Sequence, residues 1–533
     1  MIINNLKYMN SLLALDLGII LIYLIAMVLV GVWFSRKNRS SEQFTKASGS
    51  IPGWAVGMSL YATFLSSNTF LGVPGKAFGS NWNSLVFSLA MPVAAWISVK
   101  YFVPFYRQFG GISAYSNLEE RFGPWARAYS VVCFLLIQIA RMGSIFFGIA
   151  LSLQALTGYD MTSIMVIMGI CIVIYTVMGG MEAVIWTEVV QGILQTLGGA
   201  IILYLVIRET NGGFGYLFEV AVRDDKLSLG SFDLDFSTPT FWVIFLYGVF
   251  MNLKAFGFDQ NYVQRYHTAS SPKEAAKSVW LCVKLYVPIS IAFFIIGTAL
   301  YGYYQQHPEL TETIRFQAAA ERLPEDADEV TITQLAAKLT PADYGDKVMP
   351  HFMVEMIPTG LLGLIISAIL AAAMSTISSS MNASSTVFIE DIYKRYINPD
   401  MNDRRKLQLL FIGTAFFGMV GMFAGVAMIG VKSILDTWWE LSGIFAGGMF
   451  GLFLLSIISK KTKGNQALAG VIAGILVILW MTFSYLIPDQ YAFLRNTLHA
   501  NMVIVVGTLV IFLVGYVQTL FKKSRVKIDD ISS

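Results

Sequence analysis

Charged residues are scarce in this sequence of 533 residues: they make up 13% of the chain, about half their share in an ordinary soluble domain. Hydrophobic residues make up 56% and aromatic residues 14%. This balance excludes a disordered chain and argues against a multi-domain soluble enzyme. Because one membrane crossing needs about 20 apolar residues, the composition predicts a polytopic all-α membrane protein.

Cysteine and histidine are also rare, with three and four copies. The cysteines, Cys133, Cys171 and Cys282, lie inside apolar runs, and their odd count predicts neither a disulfide framework nor a zinc site. The sequence contains no nucleotide-binding loop, no HExxH and no CxxC. We therefore expect no cofactor, no ATP-driven transport and no enzyme activity. A net charge of +3 is too small to indicate a nucleic-acid partner.

Thirteen apolar runs are long enough to be membrane-spanning helices in a lipid bilayer. Lysine and arginine concentrate in alternate loops, and Arg265 falls in one of these loops, on the predicted cytoplasmic side. This pattern places the N-terminus outside and the C-terminus in the cytoplasm, in the plasma (inner) membrane. The GxxxG pattern at Gly447–Gly451 is too common to predict a dimer, so we expect a monomer. The thirteen runs are 12–35, 52–75, 82–106, 128–156, 161–179, 183–207, 238–262, 279–303, 350–388, 408–430, 436–459, 467–488 and 500–521.

The second run carries hydroxyl and amide groups at central positions, where lipid would require apolar side chains. One interpretation is that these serines and threonines bond back to carbonyl groups of their own helix. The other is a helix interrupted near Ser66–Asn68, whose freed carbonyl groups face a cavity, since non-helical backbone at membrane depth is tolerated only in such a place.

The seventh run is interrupted by Asn252 and Gly257, five runs after the second. Interrupted helices at corresponding places in two halves of a chain indicate inverted repeats around a binding site at the membrane midplane. We predict a first repeat over 52–207 and a second over 238–459, with peripheral helices at 12–35 and 467–521.

The ninth run places Ser375, Ser378 and Ser379 on one helix face, because they are spaced i, i+3, i+4. A column of neutral oxygens suits a hard cation such as Na⁺. The alternative is a face of small residues that packs against a neighbouring helix.

Three of the ionisable residues within apolar runs stand out, because such groups indicate function unless they are paired or hydrated. Glu188 is either an interfacial residue paired with a base or a buried ligand for a cation or proton. Arg141 can anchor a carboxylate with its planar fork, or form an internal ion pair. Lys254 and the nearby Asn252 are candidate substrate contacts, although Lys254 could instead snorkel to the interface.

Several stretches resemble the sodium:solute symporter family. They are Gly179–Gln191, the alanine and serine run 371–380, Glu390–Lys394 and Val263–Arg265. Within the family, the sequence is most similar to the bacterial sialic-acid members at Pro52–Ala55, Ala62–Thr63, Leu65–Ser67, Thr69–Phe70 and Ile112–Tyr115.

The resemblance implies a LeuT-like fold with a 5+5 inverted repeat, alternating access and Na⁺ as the coupling ion. It implies a first sodium site from the carbonyl groups of Ala62, Leu65 and Ala372 and the hydroxyl groups of Ser375 and Thr376. It implies a second sodium site at Glu188, Ser375, Ser378 and Ser379. It also implies ligand contacts at Ser66, Thr69 and Arg141.

The sequence departs from this branch at three positions. Phe64 replaces a threonine and Ser88 a glutamine at ligand-contact positions, and Glu188 replaces the usual aspartate. We therefore expect a sodium-coupled symporter for an organic anion, a sialic acid (N-acetylneuraminate) or a related sugar acid. The alternative is a symporter for a neutral sugar or another monocarboxylate, with Arg141 in a structural role.

Overall fold

Eleven helices in the described part of the chain are long and apolar enough to cross a membrane. The computed structural model describes residues 14–35, 40–109, 111, 113–324, 327–431 and 433–529. The predicted membrane-spanning helices are therefore largely present. Their bounds are Ala14–Phe34, Trp82–Gln108, Pro124–Gln154, Gly179–Glu209, Phe241–Phe258, Pro272–Gln306, Leu361–Ile397, Asp403–Ala427, Ile434–Ile458, Gly464–Leu486 and Met502–Leu520.

Two of the thirteen predicted crossings are helical without being long single spans. The run 52–75 forms two short helices, and the run 161–179 forms the shorter apolar helix Met161–Val177. The latter is joined to the next span across Gly180, which has φ 60° and ψ −172°, a conformation that only glycine adopts without strain. The number of thirteen crossings therefore stays a prediction.

The first broken helix consists of Gly53–Phe64 and Ser67–Gly79. Between its halves, Leu65 (φ −82°, ψ 92°) and Ser66 (φ −103°, ψ 177°) are extended. The Ser66 carbonyl accepts a hydrogen bond from the N–H of Thr69 at 2.9 Å and starts the second half. The predicted interruption of the second run is confirmed, and it leaves carbonyl groups of the preceding turn without helical partners.

The second broken helix consists of Phe241–Phe258 and Gln260–Thr268, and it breaks at Asp259 (φ −75°, ψ 121°). The predicted interruption at Asn252 and Gly257 is wrong, because both residues lie inside Phe241–Phe258. Asn252 bonds back to the carbonyl of Gly248 at 2.8 Å, so its amide is accommodated without a break. The break comes from Asp259, whose carboxylate caps the next helix at the N–H of Asn261, 3.0 Å away.

The two broken helices meet at their ends as well as at their breaks. Ile51, just before the first, and Ala269, just after the second, form a parallel β-bridge. The long span Leu361–Ile397 packs against both broken helices. The span Pro124–Gln154 packs against Ser67–Gly79, the second half of the first broken helix. The two breaks therefore lie within a shared core of helices.

The described part of the acidic stretch 304–349 contains two helices and the first part of a third. The third, Pro341–Met356, packs so closely on the first broken helix that a Cβ atom on Gly75 would lie 2.5 Å from Asp346 Oδ1, and one on Gly345 would meet the Gly75 carbonyl. Asp346 also accepts a hydrogen bond from the N–H of Ile434 at 2.9 Å. The helices outside the spans are Ser41–Lys46, Ser116–Phe122, Gly213–Arg223, Pro308–Ala320, Glu329–Ala336 and Pro341–Met356.

Candidate functional site

A central cavity lies where the two broken helices come together, closed on its other sides by Pro124–Gln154, Pro272–Gln306 and Ile434–Ile458. The structure brings all seven predicted substrate residues to its wall. These residues are Phe64, Ser66, Thr69, Ser88, Arg141, Asn252 and Lys254.

Arg141 reaches the break of the first broken helix. Its Nη2 donates to the carbonyl oxygen of Thr63 at 2.7 Å. This carbonyl lacks its usual helical partner because the helix ends at Phe64. Arg141 therefore rests on a neutral carbonyl group rather than on a carboxylate, and its fork can accept a carboxylate from a ligand.

Lys254 is buried and forms an ion pair with Asp259, five residues further along the second broken helix. The interpretation that Lys254 snorkels to the interface is therefore wrong. Asp259 also lines the cavity, and the amide of Gln138 donates to it at 3.4 Å. Sequence reasoning missed Asp259, although an acid within the predicted run 238–262 was a usable signal.

Two asparagines offer acceptors to the cavity. The amide nitrogen of Asn68 donates to Ser144 Oγ at 3.1 Å, and that of Asn252 donates to the carbonyl oxygen of Phe87 at 3.1 Å. Both amide oxygens are buried without a hydrogen-bond partner in the described chain. A buried acceptor of this kind needs a donor, and a ligand in the cavity can supply it.

Aromatic rings narrow the cavity around Phe64. The ring centroid of Phe64 lies 4.8 Å from that of Tyr262, 5.3 Å from Phe256 and 5.4 Å from Tyr286. In the same cavity, the hydroxyl groups of Ser88 and Ser290 are 2.8 Å apart and bond to each other. Phe64 therefore leaves less room in the cavity than a threonine would. Ser88 offers a hydroxyl group that is already hydrogen-bonded to Ser290.

Neutral oxygens from Leu361–Ile397 and the first broken helix form a cluster beside the cavity. Ser375 Oγ lies 3.1 Å from the Ala62 carbonyl and 3.0 Å from that of Ala372. Thr376 Oγ1 lies 3.1 Å from the Ala372 carbonyl and 3.3 Å from that of Thr63. Carbonyl and hydroxyl oxygens suit a hard cation such as Na⁺. Of the predicted first sodium site, Leu65 lies at the break itself, with its N–H bonded to Tyr61.

Glu188, from the predicted second sodium site, is fully buried and paired with Arg265. Nη2 of Arg265 lies 2.8 Å from each carboxylate oxygen. The hydroxyl group of Ser379 donates to Glu188 at 2.5 Å, whereas that of Ser378 donates to the Ser375 carbonyl of its own helix at 3.1 Å. Of the predicted serines, Ser379 alone bonds to Glu188 among the described residues.

The sequence placed Arg265 in a cytoplasmic loop, which is wrong. It lies in Gln260–Thr268, where every residue is buried although the segment is polar. Hydropathy does not detect a polar helix that is buried against protein instead of lipid. Arg265 also donates through Nε to Ser59 Oγ at 2.7 Å, so the pair joins both broken helices.

The chain is similar to proteins of known activity along almost its whole length. The family model described as the sodium:solute symporter family matches residues 44–474. The sodium/sialic acid symporter NanT of Aliivibrio fischeri is 31% identical over 516 residues, 96% of this chain and 94% of that protein. The sodium/sialic acid symporter SiaT of Proteus mirabilis is 31% identical over 491 residues, 91% of this chain and 92% of that protein.

A solved structure gives the same result for the fold. It is the substrate-bound outward-open state of a Na⁺-coupled sialic acid symporter, reported with a novel Na⁺ site. It matches with a TM-score of 0.83 and 29% identity over 96% of this chain and 98% of that chain. The predicted fold class, an all-helical membrane protein of LeuT-like architecture, is confirmed.

Proposed function

The chain belongs to the sodium:solute symporter family, and on this basis we propose that it imports an organic anion, a sialic acid or a related sugar acid, together with Na⁺ by alternating access. Its family and its relatives are transporters. The proposal assigns Arg141 to the substrate carboxylate and the oxygens around Ser375 and Thr376 to the ion.

One observation carries the proposal: Arg141 and Thr376 both donate to the carbonyl oxygen of Thr63. The anchor for an acid and the residues for a cation thus act on one peptide group at the helix break. If the substrate moves this peptide, it changes the affinity for the ion, and the ion changes the affinity for the substrate by the same factor. A typical coupling of about 1–3 kcal/mol makes substrate affinity depend on sodium by about 5–150-fold.

The polar groups of the cavity support a hydroxylated acid. Arg141 supplies the charge, and the unpartnered amide oxygens of Asn68 and Asn252 accept hydrogen bonds from hydroxyl or N-acetyl N–H groups. A neutral sugar would leave the Arg141 guanidinium without a counter-charge in a desolvated cavity.

A second candidate substrate is a smaller hydroxylated monocarboxylate. The aromatic rings of Phe256, Tyr262 and Tyr286 around Phe64 favour it, because they occupy space that a nine-carbon sugar acid would need. Both candidates require Arg141, and they differ in whether Phe64 limits the size of the ligand.

Further features complete the proposal. We assign the first repeat to 52–207 and the second to 238–459, with an external N-terminus and a cytoplasmic C-terminus in the plasma (inner) membrane. We take the transporter to be a monomer. Glu188, Ser378 and Ser379 remain a proposed second ion site, at which a cation would have to displace Arg265 from Glu188.

Uptake of labelled N-acetylneuraminate into proteoliposomes tests the proposal. Accumulation that requires an inward Na⁺ gradient, and that Arg141→Ala abolishes, is the expected result. Uptake that is unaffected by removing Na⁺ contradicts the symport mechanism. No uptake, in protein whose melting temperature rises with Na⁺, contradicts this substrate and directs the search to smaller monocarboxylates.

A further inference from the structure

The central cavity has a definite charge. Among the described residues that line it, the charged ones are Arg141, Lys254 and Asp259. Their formal charges sum to +1. The buried pair of Glu188 and Arg265, which contacts the sodium residues, is neutral as a unit. A ligand that enters this cavity therefore meets one uncompensated positive charge.

The negative charge is fixed in place. Asp259 Oδ1 accepts from the backbone N–H of Asn261 at 3.0 Å and from its amide at 2.8 Å. Asp259 Oδ2 accepts from Lys254 and from Gln138. These four donors come from three helices and hold the carboxylate at the break of the second broken helix. Asp259 therefore acts as a permanent anion of the cavity, not as a group that turns towards a ligand.

The positive groups keep donors for a ligand. An ammonium group has three N–H donors and a guanidinium has five. Lys254 bonds to Asp259 and Arg141 to the Thr63 carbonyl, and both side chains line the cavity. Arg141 can thus take a carboxylate while Lys254 donates to a neighbouring hydroxyl group.

We propose that Asp259 sets the charge of the substrate: by neutralising Lys254 it leaves room for one negative charge, so that the transporter selects monoanions over dianions and neutral sugars. This inference rests on the proposed function and narrows its substrate class. A monoanion neutralises the side chains that line the cavity, whereas a dianion or a neutral ligand leaves a net charge on them, which is unfavourable at low dielectric.

Three six-carbon ligands with the charges 0, −1 and −2 test the inference: glucose, gluconate and glucarate. Their dissociation constants for the purified full chain, measured in Na⁺ by intrinsic tryptophan fluorescence, give a charge preference without requiring transport. Trp438 and Trp439 line the cavity and report on occupancy. For the wild type, we expect gluconate to bind at least about tenfold more tightly than either of the others.

Variants shift the charge of the cavity in known steps. Lys254→Arg/Asp259→Asn raises it to +2, since arginine stays protonated, and should move the preference by about tenfold or more towards glucarate. Lys254→Gln lowers it to 0 and should move the preference towards glucose. Lys254→Gln/Asp259→Asn keeps +1 and should retain the preference for gluconate. Asparagine is also a good N-cap, so Asp259→Asn preserves the start of Gln260–Thr268.

The outcomes separate this inference from the function on which it rests. If the wild type binds neither the three ligands nor N-acetylneuraminate in Na⁺, the proposed sugar-acid function is contradicted, and the inference with it. If it binds N-acetylneuraminate but shows no preference for gluconate, only the inference is overturned. If the wild type prefers gluconate but the +2 and 0 variants keep that ranking, only the role of Asp259 is overturned. A Na⁺-dependent rise in melting temperature shows that each variant is folded, and either charge-shifting variant alone decides the question.

Discussion

Arg141 and Thr376 donate hydrogen bonds to the same atom, the carbonyl oxygen of Thr63, at 2.7 Å and 3.3 Å. The first residue belongs to Pro124–Gln154 and the second to Leu361–Ile397, so two spans far apart in sequence converge on one peptide. A carboxylate that draws Arg141 away leaves this carbonyl free to turn towards a cation. The geometry thus gives a direct route by which substrate and ion strengthen each other's binding.

Replacing Arg141 tests the acid anchor. Arg141→Lys keeps a positive charge but loses the planar fork, so we expect about tenfold or greater loss of affinity for N-acetylneuraminate. Arg141→Ala should abolish uptake. Sodium-driven uptake in proteoliposomes measures both, and the Na⁺-induced rise in melting temperature shows that the variants are folded. Equal uptake by Arg141→Ala and the wild type would rule out the anchor.

Hydroxyl groups of the proposed first sodium site can be removed one at a time. Ser375→Ala or Thr376→Ala deletes an oxygen ligand, and we expect the half-saturating Na⁺ concentration to rise by about tenfold, which corresponds to about 1.4 kcal/mol. Ser367→Ala is the matched control, because this serine is buried on the same helix and its hydroxyl group bonds to the Gly363 carbonyl of that helix. It should change half-saturation by less than about twofold. An equal rise in Ser367→Ala would show that the change does not come from the loss of an ion ligand.

The buried pair of Glu188 and Arg265 should contribute mainly to stability. Glu188→Gln or Arg265→Met leaves an unpaired buried charge and should destabilise the protein by about 3–5 kcal/mol. The double variant should lose less than the sum, since neither charge remains alone. Melting temperatures in detergent measure the cycle. The exposed pair of Lys277 and Glu274 is the control, and Lys277→Met should have little effect. Strictly additive losses for the buried pair would show that the two side chains do not interact.

Phe64 should limit the size of the substrate. Phe64→Thr removes the ring that packs against Tyr262 and Tyr286, so N-acetylneuraminate should compete better against a small acid such as lactate. Removing a packed ring also lowers stability by about 3 kcal/mol or more. Phe64→Leu keeps most of the volume and should leave the ranking of the two acids unchanged. An unchanged ranking in Phe64→Thr would show that the ring does not restrict the pocket.

Asp346 should make stability depend on pH. Burial raises its pKa from 3.8 to about 6, and the nearby Asp436 adds to the rise against the opposing N–H of Ile434. Because the unfolded chain ionises near 3.8 and the folded chain near 6, the wild type loses stability as the pH rises through this window, by about 3 kcal/mol at most. Asp346→Asn lacks this loss. Its melting temperature relative to the wild type should therefore increase from pH 4 to pH 6 and then stay constant.

Asp343, on the same helix, is the control of opposite sign. The hydroxyl group of Thr340 donates to it and lowers its pKa, so its contribution to stability is present above its unfolded pKa and is lost on acidification. Asp343→Asn should therefore lose most stability, relative to the wild type, at neutral pH. Parallel pH profiles for the two variants would contradict both assignments.

Part of this site could be predicted from the sequence because the signal was local. Hydroxyl-rich turns at Ser66 and Ser375, and a guanidinium at Arg141 within an apolar run, are anomalies that lipid does not tolerate without a reason. The break of the first broken helix follows from the same anomaly.

The remaining features depend on contacts between distant segments. Asp259 breaks the second broken helix through an N-cap, whereas the more conspicuous Asn252 bonds back to its own helix. Arg265 lies in a polar segment that is buried against protein, so hydropathy assigned it to a loop. Its partner Glu188 is 77 residues away, and no local pattern indicates the pair.

The contact between Gly75 and Gly345 has a mechanical consequence. Two backbones touch there with no side chain between them, so Ser67–Gly79 of the first broken helix and the helix Pro341–Met356 cannot slide independently. If Ser67–Gly79 tilts during transport, the helix Pro341–Met356 moves with it. A fluorophore on the exposed face of this helix would follow the opening of the buried site in real time.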